Sequence, residues 1–243
     1  LIVAEVVKRL NGNGKNIKIA PSSAGGPLFD NLDSCINAST AAQKTLAGLG
    51  LKKREKIIQA MRDAALKNAE YLARITQEET KMGRTGDKII KNTLAAEKTP
   101  GTEDLQPIAF TGDKGLTLIE NAPYGIVAAI TPSTNPTSTV INNGISIIAA
   151  GNSAIFAPHP AAKNCTHQAI EILNNAIISA DGPPNLVSTV NPPSIEFTQS
   201  LLRHPEVKMN IVTGGPGIVK LAMSAGKKTI AAGPGNPPCV VDE

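Results

Sequence analysis

The sequence predicts an α/β fold in which helices precede a doubly wound parallel sheet. From residue 116 onward, short apolar runs typical of buried strands alternate with stretches of helical periodicity. Continuous apolar strands that are joined by helices form parallel sheets covered on both faces, and their crossovers are right-handed almost without exception. Between residues 30 and 100, by contrast, apolar residues recur only at helical spacing. These two patterns together predict the fold class.

Composition and charge argue against several classes of partner. The 24 basic side chains are mixed with 20 acidic ones, and 2% of the residues are aromatic, so no basic stripe or stacking platform for nucleic acid is present. No apolar run approaches the about 18 residues that a membrane span needs. The 3 cysteines are widely spaced, which favours a reducing cytoplasm, and none lies at metal-ligand spacing with a histidine. We expect a cytoplasmic protein that binds no nucleic acid, membrane or metal.

The N-terminal segment predicts a short helix on a tether. Residues 1–10 place five apolar side chains on one helical face, and residues 11–27 are rich in Gly, Asn, Ser and Pro. The second composition is typical of a flexible linker. An amphipathic helix on such a linker usually docks on a partner, although packing on its own domain is an equal alternative. The domain itself is expected to occupy residues 28–243.

The first part of this domain is predicted to be helical. Asp30 and Asp33 are candidate N-caps for a first helix that Gly50 closes. Residues 52–82 continue the helical pattern with a charged, solvated face. Residues 82–92 hold two glycines and three basic residues, and they are interpreted as a corner between two helices.

The second part predicts alternating strands and helices. The first strand lies in residues 116–125 and ends in a turn at Pro123. The other strands are predicted at residues 125–131, 153–158, 186–190, 208–213, 228–233 and 239–243. The helices between them are predicted at residues 137–149, 163–179, 194–203 and 216–225.

Four loops follow these strands at the end where parallel sheets bind ligands. Residues 131–139 hold hydroxyl and amide groups before a helix, and they either donate to an anion or only cap the helix. Residues 157–160 place His159 at a strand end, where capping is more usual than catalysis. Residues 213–217 contain paired glycines that let a phosphate approach the backbone. Residues 231–238, rich in Gly and Pro, resemble an active-site wall.

Taken in order, segments of residues 82–243 resemble the aldehyde dehydrogenase superfamily and, within it, the CoA-acylating branch. The similar segments are ENAPYG, TPSTNPTSTVINNGISIIAAGNS, FAPHPAAKN, VTGGPGIVK and GPGNPPCVVDE. The resemblance implies a Rossmann-like nucleotide-binding domain, NAD and coenzyme A as cofactors, and a small aldehyde as substrate. It also implies a homo-oligomer, with part of an oligomerising strand in residues 116–131.

The resemblance also assigns residues. The 131–136 loop matches the superfamily's P-W-N-F-P loop, whose asparagine donates to the oxyanion. Counting between the prolines places Thr134 at that position and Asn135 one position later, so both are candidates. Ala157 stands where a lysine usually holds the adenosine ribose. The residues implied to contact the nucleotide are Thr131, Pro132, Ser133, Thr134, Ala157, Pro158, His159, Thr213, Gly214, Gly215, Ile218, Ala232 and Gly233.

The residue at 232 indicates how the acyl group leaves. Hydrolytic members of the superfamily carry a glutamate there that activates water, whereas this chain carries Ala232. Alanine accepts no proton, which favours release of a thioester to another thiol, coenzyme A. The resemblance places the nucleophilic cysteine beyond Glu243. We therefore expect a chain truncated before the catalytic domain, which binds nucleotide without dehydrogenase turnover.

None of the three cysteines matches that nucleophile. Cys239 lies in the apolar run of residues 239–243, and buried strand cysteines are usually inert. Cys165 lies near the start of a predicted helix, whose dipole can lower a thiol pKa. Cys35 is expected to pack in the amphipathic N-terminal region.

Two alternatives to such an enzyme remain. The first is a non-catalytic nucleotide-binding or assembly module in which the helix of residues 1–10 is the functional part. That helix resembles tags that direct acylating enzymes into bacterial microcompartments, where they dock on shell proteins. A bifunctional alcohol/aldehyde dehydrogenase is the other alternative, against which the tag argues.

Overall fold

A computed structural model describes residues 26–233, 235 and 238–241. The predicted helix of residues 1–10 and the linker up to residue 25 lie outside these residues. The helices are α1 (Leu32–Ala47), α2 (Leu51–Lys67), α3 (Ala69–Thr80), α4 (Thr85–Lys98), α5 (Pro136–Ala149), α6 (Lys163–Ser179), α7 (Ile195–Arg203) and α8 (Pro216–Met223). The strands are β1 (Leu28–Phe29), β2 (Ile108–Gly112), β3 (Gly115–Ile119), β4 (Ile126–Ile130), β5 (Ser153–Ala157), β6 (Val187–Val190), β7 (Val207–Thr213) and β8 (Lys228–Ala232).

Six strands form one parallel sheet in the order β1-β6-β5-β4-β7-β8. The chain enters the alternating region at β4, builds outward through β5 and β6, and then returns to add β7 and β8 on the other side of β4. The direction of building therefore reverses between β4 and β7. The α/β prediction is confirmed, and the predicted helices and strands from β4 to β8 differ from the structure by at most two residues at either end.

Alternation along the central strand explains why it is apolar throughout. All five residues of β4 are buried. Val127 and Ala129 belong to a core shared with α2, α5 and α6, whereas Ile126, Ala128 and Ile130 belong to a second core shared with α7 and α8. Because successive side chains of a strand point to opposite faces, a sheet with helices on both faces buries every position. This observation accounts for the continuous apolar runs.

The capping predictions for the first helix are wrong. Asn31 is the N-cap of α1, and its side-chain Oδ1 accepts a hydrogen bond from the Ser34 main-chain nitrogen at 2.9 Å. Asp33 lies inside the first turn instead, where a negative charge suits the helix dipole. Gly50 does not close α1, because Gly48 is the C-cap and Gly50 is the N-cap of α2.

The predicted helix of residues 52–82 is two helices, α2 and α3, which meet at Asn68. Its side-chain nitrogen donates to the Ala64 carbonyl oxygen at 2.8 Å, which favours a break over continuation. The corner in residues 82–92 is confirmed. Lys81 and Gly83 both have positive φ, and α4 starts at Thr85.

Two strand predictions are corrected. The strand predicted at residues 116–125 is β3, and it forms a separate antiparallel hairpin with β2, which the sequence reasoning missed. Residues 239–241, part of the strand predicted at 239–243, are exposed and irregular. In the part of the chain that the structure describes, no strand pairs with the outer edge of β8, so this run has no ladder to join. No helix in residues 26–233 has the length and hydrophobicity of a membrane span.

Candidate functional site

The loops after β4, β5 and β7 lie at one edge of the sheet. The Thr131 nitrogen donates to the Ala157 oxygen at 3.2 Å, and the Gly214 nitrogen donates to the Ala232 oxygen at 3.2 Å. These bonds extend the parallel ladder one step past the strand ends. A cavity of about 300 Å³ opens between the loops. It includes the reversal point between β4 and β7, where parallel sheets bind ligands.

Most of the residues predicted to contact a nucleotide line this cavity. They are Thr131, Pro132, Ala157, Pro158, His159, Thr213, Gly214, Gly215 and Ile218. Four others do not line it: Ser133 and Thr134 lie farther along the first loop, and Ala232 and Gly233 lie at the end of β8. The surface of the cavity as a whole is largely apolar.

One wall of the cavity was missed in the sequence reasoning. The start of α7 contributes Ser194, Ile195, Thr198 and Gln199. Ser194 is the N-cap of α7, and its hydroxyl accepts from the Phe197 nitrogen at 3.0 Å. The signal was available, because β6 ends at the same edge of the sheet as β4 and β5, and a capping serine follows it.

The hydroxyl group of Thr131 is buried in the cavity wall without a partner. Thr131 is 2% exposed, and its Oγ1 makes no hydrogen bond within the described part of the chain. A buried polar atom left unpaired costs about 1–3 kcal/mol. Such groups in native proteins are rare and call for a functional or structural reason. A polar ligand in the cavity would supply the missing partner.

The two glycines after β7 have different roles. A Cβ at Gly214 would lie 2.7 Å from Cγ2 of Ile218, so this position needs glycine for packing against the first turn of α8. A Cβ at Gly215 would meet no atom within 4 Å. Gly215 is the N-cap of α8, and Pro216 takes the first helical position. The free N–H groups of a first turn and the helix dipole favour an anion at this end.

His159 caps a short 3₁₀ helix, Pro160–Ala162. Its Nδ1 accepts a hydrogen bond from the Ala161 nitrogen at 3.1 Å. The imidazole is exposed at the rim of the cavity. This contact accounts for the histidine without a catalytic role.

The two oxyanion candidates are neighbours at the start of α5. Thr134 is exposed, whereas Asn135 is half-buried and is the N-cap residue. The Asn135 Nδ2 atom lies 3.4 Å from the Thr134 Oγ1 atom. The Asn135 carbonyl oxygen is held by the Thr139 hydroxyl at 2.6 Å and by the Thr139 nitrogen at 3.1 Å. The loop is thus anchored on its helix side.

Two lysines of α4 contact the same loop and were not singled out from the sequence. Lys88 Nζ donates to the Thr134 carbonyl oxygen at 2.9 Å, and Lys91 Nζ donates to Asn135 Oδ1 at 3.1 Å. Burial lowers the pKa of the Lys88 ammonium and the Lys91 charge lowers it further, whereas Cys165 raises it. The excess of basic residues in residues 82–92 was the available signal.

A second cavity, of about 430 Å³, lies between α4 and α5. Thr213 borders both cavities, and Asn135 lines the second. The 131–135 loop therefore stands between two spaces. The other polar residues around the second cavity are Lys91, Lys98, Thr99, Ser138, Thr139, Asn142 and Asn143.

The three cysteines are placed differently from one another. Cys35 packs as expected: its Sγ lies 3.4 Å from Ser188 Oγ, and burial raises the pKa of the thiol to about 12. Burial, together with Glu79, also raises the pKa of Cys165 to about 12, which outweighs any lowering that the start of the helix could cause. Glu79 itself accepts from the Cys165 nitrogen at 2.7 Å. Cys239 is exposed and lies in no strand, which corrects its predicted burial.

These environments predict which thiols react. Iodoacetamide treatment of the native protein at pH 8 is expected to modify Cys239 and to spare Cys35 and Cys165, because only the thiolate attacks and the two buried thiols stay protonated. Peptide mass mapping measures the outcome. Denatured protein, in which all three should react, is the control. Rapid native modification of Cys165 would contradict the prediction.

The geometry agrees with comparisons to known proteins. Residues 28–243 match the model of the aldehyde dehydrogenase family. The chain is 55% identical to the acetaldehyde dehydrogenase (acetylating) of Bilophila wadsworthia over 89% of this chain and 44% of that protein. It also resembles a propionaldehyde dehydrogenase from the fucose utilisation bacterial microcompartment of Clostridium phytofermentans, with a TM-score of 0.85 and 44% identity over 87% of this chain and 49% of that one.

A second solved structure extends the likeness. The Rhodopseudomonas palustris propionaldehyde dehydrogenase, with bound CoA and an acylated cysteine, has a TM-score of 0.85 and 45% identity over 87% of this chain and 49% of that one. The chain spans about half the length of the relatives it matches. The matched parts of both solved structures share the fold of this chain. The chain belongs to the aldehyde dehydrogenase family.

Proposed function

We propose that these residues form the nucleotide-binding part of a CoA-acylating aldehyde dehydrogenase. The reaction oxidises an aldehyde with NAD⁺ and coenzyme A to an acyl-CoA, NADH and a proton, through a cysteine thioester. The observation that carries the proposal is the cavity at the reversal point of the sheet. The acetylating and propionaldehyde dehydrogenases among the relatives support the reaction class.

The cavity suits a dinucleotide. Its apolar walls fit a flat heterocyclic ring, and the start of α8 at Gly215 favours a pyrophosphate. The unpaired Thr131 hydroxyl offers a hydrogen bond. When bound, NAD⁺ supplies the hydride acceptor of the reaction. We propose that Thr131, Gly214, Gly215 and Ile218 hold the nucleotide, and that Ser133, Thr134, Ala232 and Gly233 border it.

The 131–135 loop lies between the two cavities, which we propose hold different reactants. We propose that the nucleotide occupies the cavity on the α7 side and that the aldehyde approaches from the side of α4 and α5. Thr134 and Asn135 lie between the two spaces, where an oxyanion would form next to the nucleotide. Fixed donors aimed at developing charge are among the strongest catalytic devices.

Release of the acyl group to coenzyme A is favoured by Ala232. A thioester is hydrolysed when a nearby carboxylate takes a proton from water. Ala232 ends β8 and is exposed, and it offers no proton acceptor in its side chain. The Rhodopseudomonas palustris relative with bound CoA supports a thiol as the acceptor.

The β2–β3 hairpin exposes apolar side chains on both faces, with Phe110 60% and Leu116 68% exposed, and we propose that it packs against a second copy.

We propose residues 28–243 as one nucleotide-binding domain behind a linker at 11–27. Residues 1–10 are proposed to dock on a microcompartment shell protein inside the cytoplasm.

The proposed reaction is tested with the full-length protein, acetaldehyde or propionaldehyde, and each nucleotide. NADH formation that requires both aldehyde and coenzyme A is expected, with acyl-CoA detected by mass spectrometry. NAD⁺ is expected to support faster turnover than NADP⁺. Nucleotide binding measured by calorimetry without any aldehyde-dependent NADH would favour the non-catalytic module instead.

A further inference from the structure

Lys88 and Lys91 contact two successive residues of the 131–135 loop, Thr134 and Asn135. Lys88 donates a hydrogen bond to the Thr134 carbonyl oxygen, and Lys91 donates one to Oδ1 of Asn135. The two lysines are three positions apart in α4, so they lie on the same face of that helix. One helix face therefore fixes both the main chain and the side chain of the loop.

Lys91 decides the orientation of the Asn135 amide. An ammonium group only donates hydrogen bonds, so Oδ1 must face Lys91 and Nδ2 must face away from it. Nδ2 has two N–H groups, and one is directed towards Thr134 Oγ1, 3.4 Å away. The other remains for a ligand. With the amide flipped, Asn135 would present an oxygen that repels an oxyanion.

Each lysine also polarises an amide group whose N–H belongs to Asn135. The Thr134 carbonyl belongs to the peptide unit whose N–H is that of Asn135, and Oδ1 belongs to the amide that carries Nδ2. A cation at the oxygen of an amide withdraws electron density from its N–H, because hydrogen-bonded groups polarise one another. Both N–H donors of Asn135 thereby become stronger donors.

Two lysine cations at the start of α5 do not favour folding. α5 starts at Pro136, and cations near a helix N-terminus oppose the helix dipole. Lys88 is 6% exposed, and within residues 26–233 neither Lys88 nor Lys91 forms a salt bridge. Two cations at this position make sense if negative charge develops beside them during the reaction.

We infer that Lys88 and Lys91 are positioning residues, which orient and polarise the amide groups of Asn135 and so make Asn135, rather than Thr134, the donor to the oxyanion. This inference rests on the proposed function, because an oxyanion forms only where an aldehyde is attacked. The Thr134 hydroxyl supports Asn135 by accepting from its Nδ2.

The test compares lysine variants in the full-length protein with acetaldehyde, coenzyme A and NAD⁺. Lys91→Met removes the ammonium at an exposed site and should leave the melting temperature unchanged. Because loss of an oxyanion donor costs about 10²–10³-fold in kcat, loss of its positioning should lower kcat at least about tenfold with the KM for NAD⁺ unchanged. Lys91→Arg keeps a donor and should restore most of kcat. Lys56→Met, at an exposed lysine of α2, is the matched control.

The outcomes separate the inference from the proposed function. An active wild type whose Lys91→Met variant matches Lys56→Met would overturn the inference alone. A Lys91→Met variant with weaker NAD⁺ binding and a lower melting temperature would show a merely structural contact and would also overturn it. A wild type that forms no NADH would overturn the proposed function and the inference with it. Lys88→Met, at a buried site, should lower kcat in the same direction if it folds.

Discussion

Replacing Gly215 with valine is expected to weaken nucleotide binding at least about tenfold, or about 1.4 kcal/mol, while the protein keeps its fold. A Cβ at Gly215 meets no atom within 4 Å apart from its chain neighbours, and the φ of −68° suits valine. The residue lines the cavity after β7, so the added methyl groups occupy space that we propose the nucleotide fills. The loss of an N-cap glycine costs about 1 kcal/mol or less. Calorimetric titration with NAD⁺ measures the change in affinity.

Gly217→Ala provides the matched control. Gly217 lies two residues farther along in α8, an added Cβ there also meets nothing within 4 Å, and the residue does not line the cavity. It should bind nucleotide as the wild type does, and the change to alanine should stabilise the helix by about 0.5–1 kcal/mol. Equal affinities for the valine variant and the wild type would show that the nucleotide does not lie against the start of α8.

The sheet could be predicted because its central strands share one sequence pattern. Every residue of β4 and β5 is buried, so the apolar runs are uninterrupted, and each is followed by a helix of the length that a crossover needs. Parallel pairing then places the loops after β4 and β7 at the same edge without further information. The cavity between these loops follows from the strand order alone.

The hairpin and the C-terminal run could not be predicted in the same way. The five residues of β2 are all exposed, so burial left no pattern in that segment, and the Gly112 to Gly115 turn was the only local signal. Residues 239–241 have the composition of a buried strand. What such a run does depends on a neighbouring strand, and composition does not report whether a neighbour exists.

The loop residues of the site could be predicted from the sequence, but the residues of other elements that contact the loops and the cavity could not. Thr131 follows β4 directly and Gly215 lies two residues after β7, so topology positions them. Lys88 reaches the loop from a helix 46 positions earlier in the chain, and Ser194 reaches the cavity from the start of α7, after β6. Periodicity indicates which face of α4 is exposed, but it does not indicate that a buried basic residue, Lys88, meets the carbonyl of Thr134. Such contacts depend on the packing of α4 against α5.

Replacing Ala232 with glutamate is expected to raise acid formation without coenzyme A at least about tenfold. A positioned general base commonly contributes about 10²–10⁴-fold, and residue 232 ends β8 at the edge of the sheet where the loops after β4 and β7 lie. Its carbonyl oxygen is already fixed by the Gly214 nitrogen, so a side chain there starts from a defined position. The residue is exposed, which leaves room for a carboxylate. The measurement is aldehyde-dependent NADH formation in the full-length protein with coenzyme A omitted.

Ala232→Gln separates the base from the bulk of the side chain. Glutamine has the shape of glutamate but no carboxylate, so it cannot take a proton from water. If both variants gain the same rate without coenzyme A, the gain comes from altered packing at the end of β8, and residue 232 does not govern the choice between water and thiol. If only glutamate gains it, the alanine is what keeps the thioester intact until coenzyme A arrives, because the wild-type side chain gives water no base at that point.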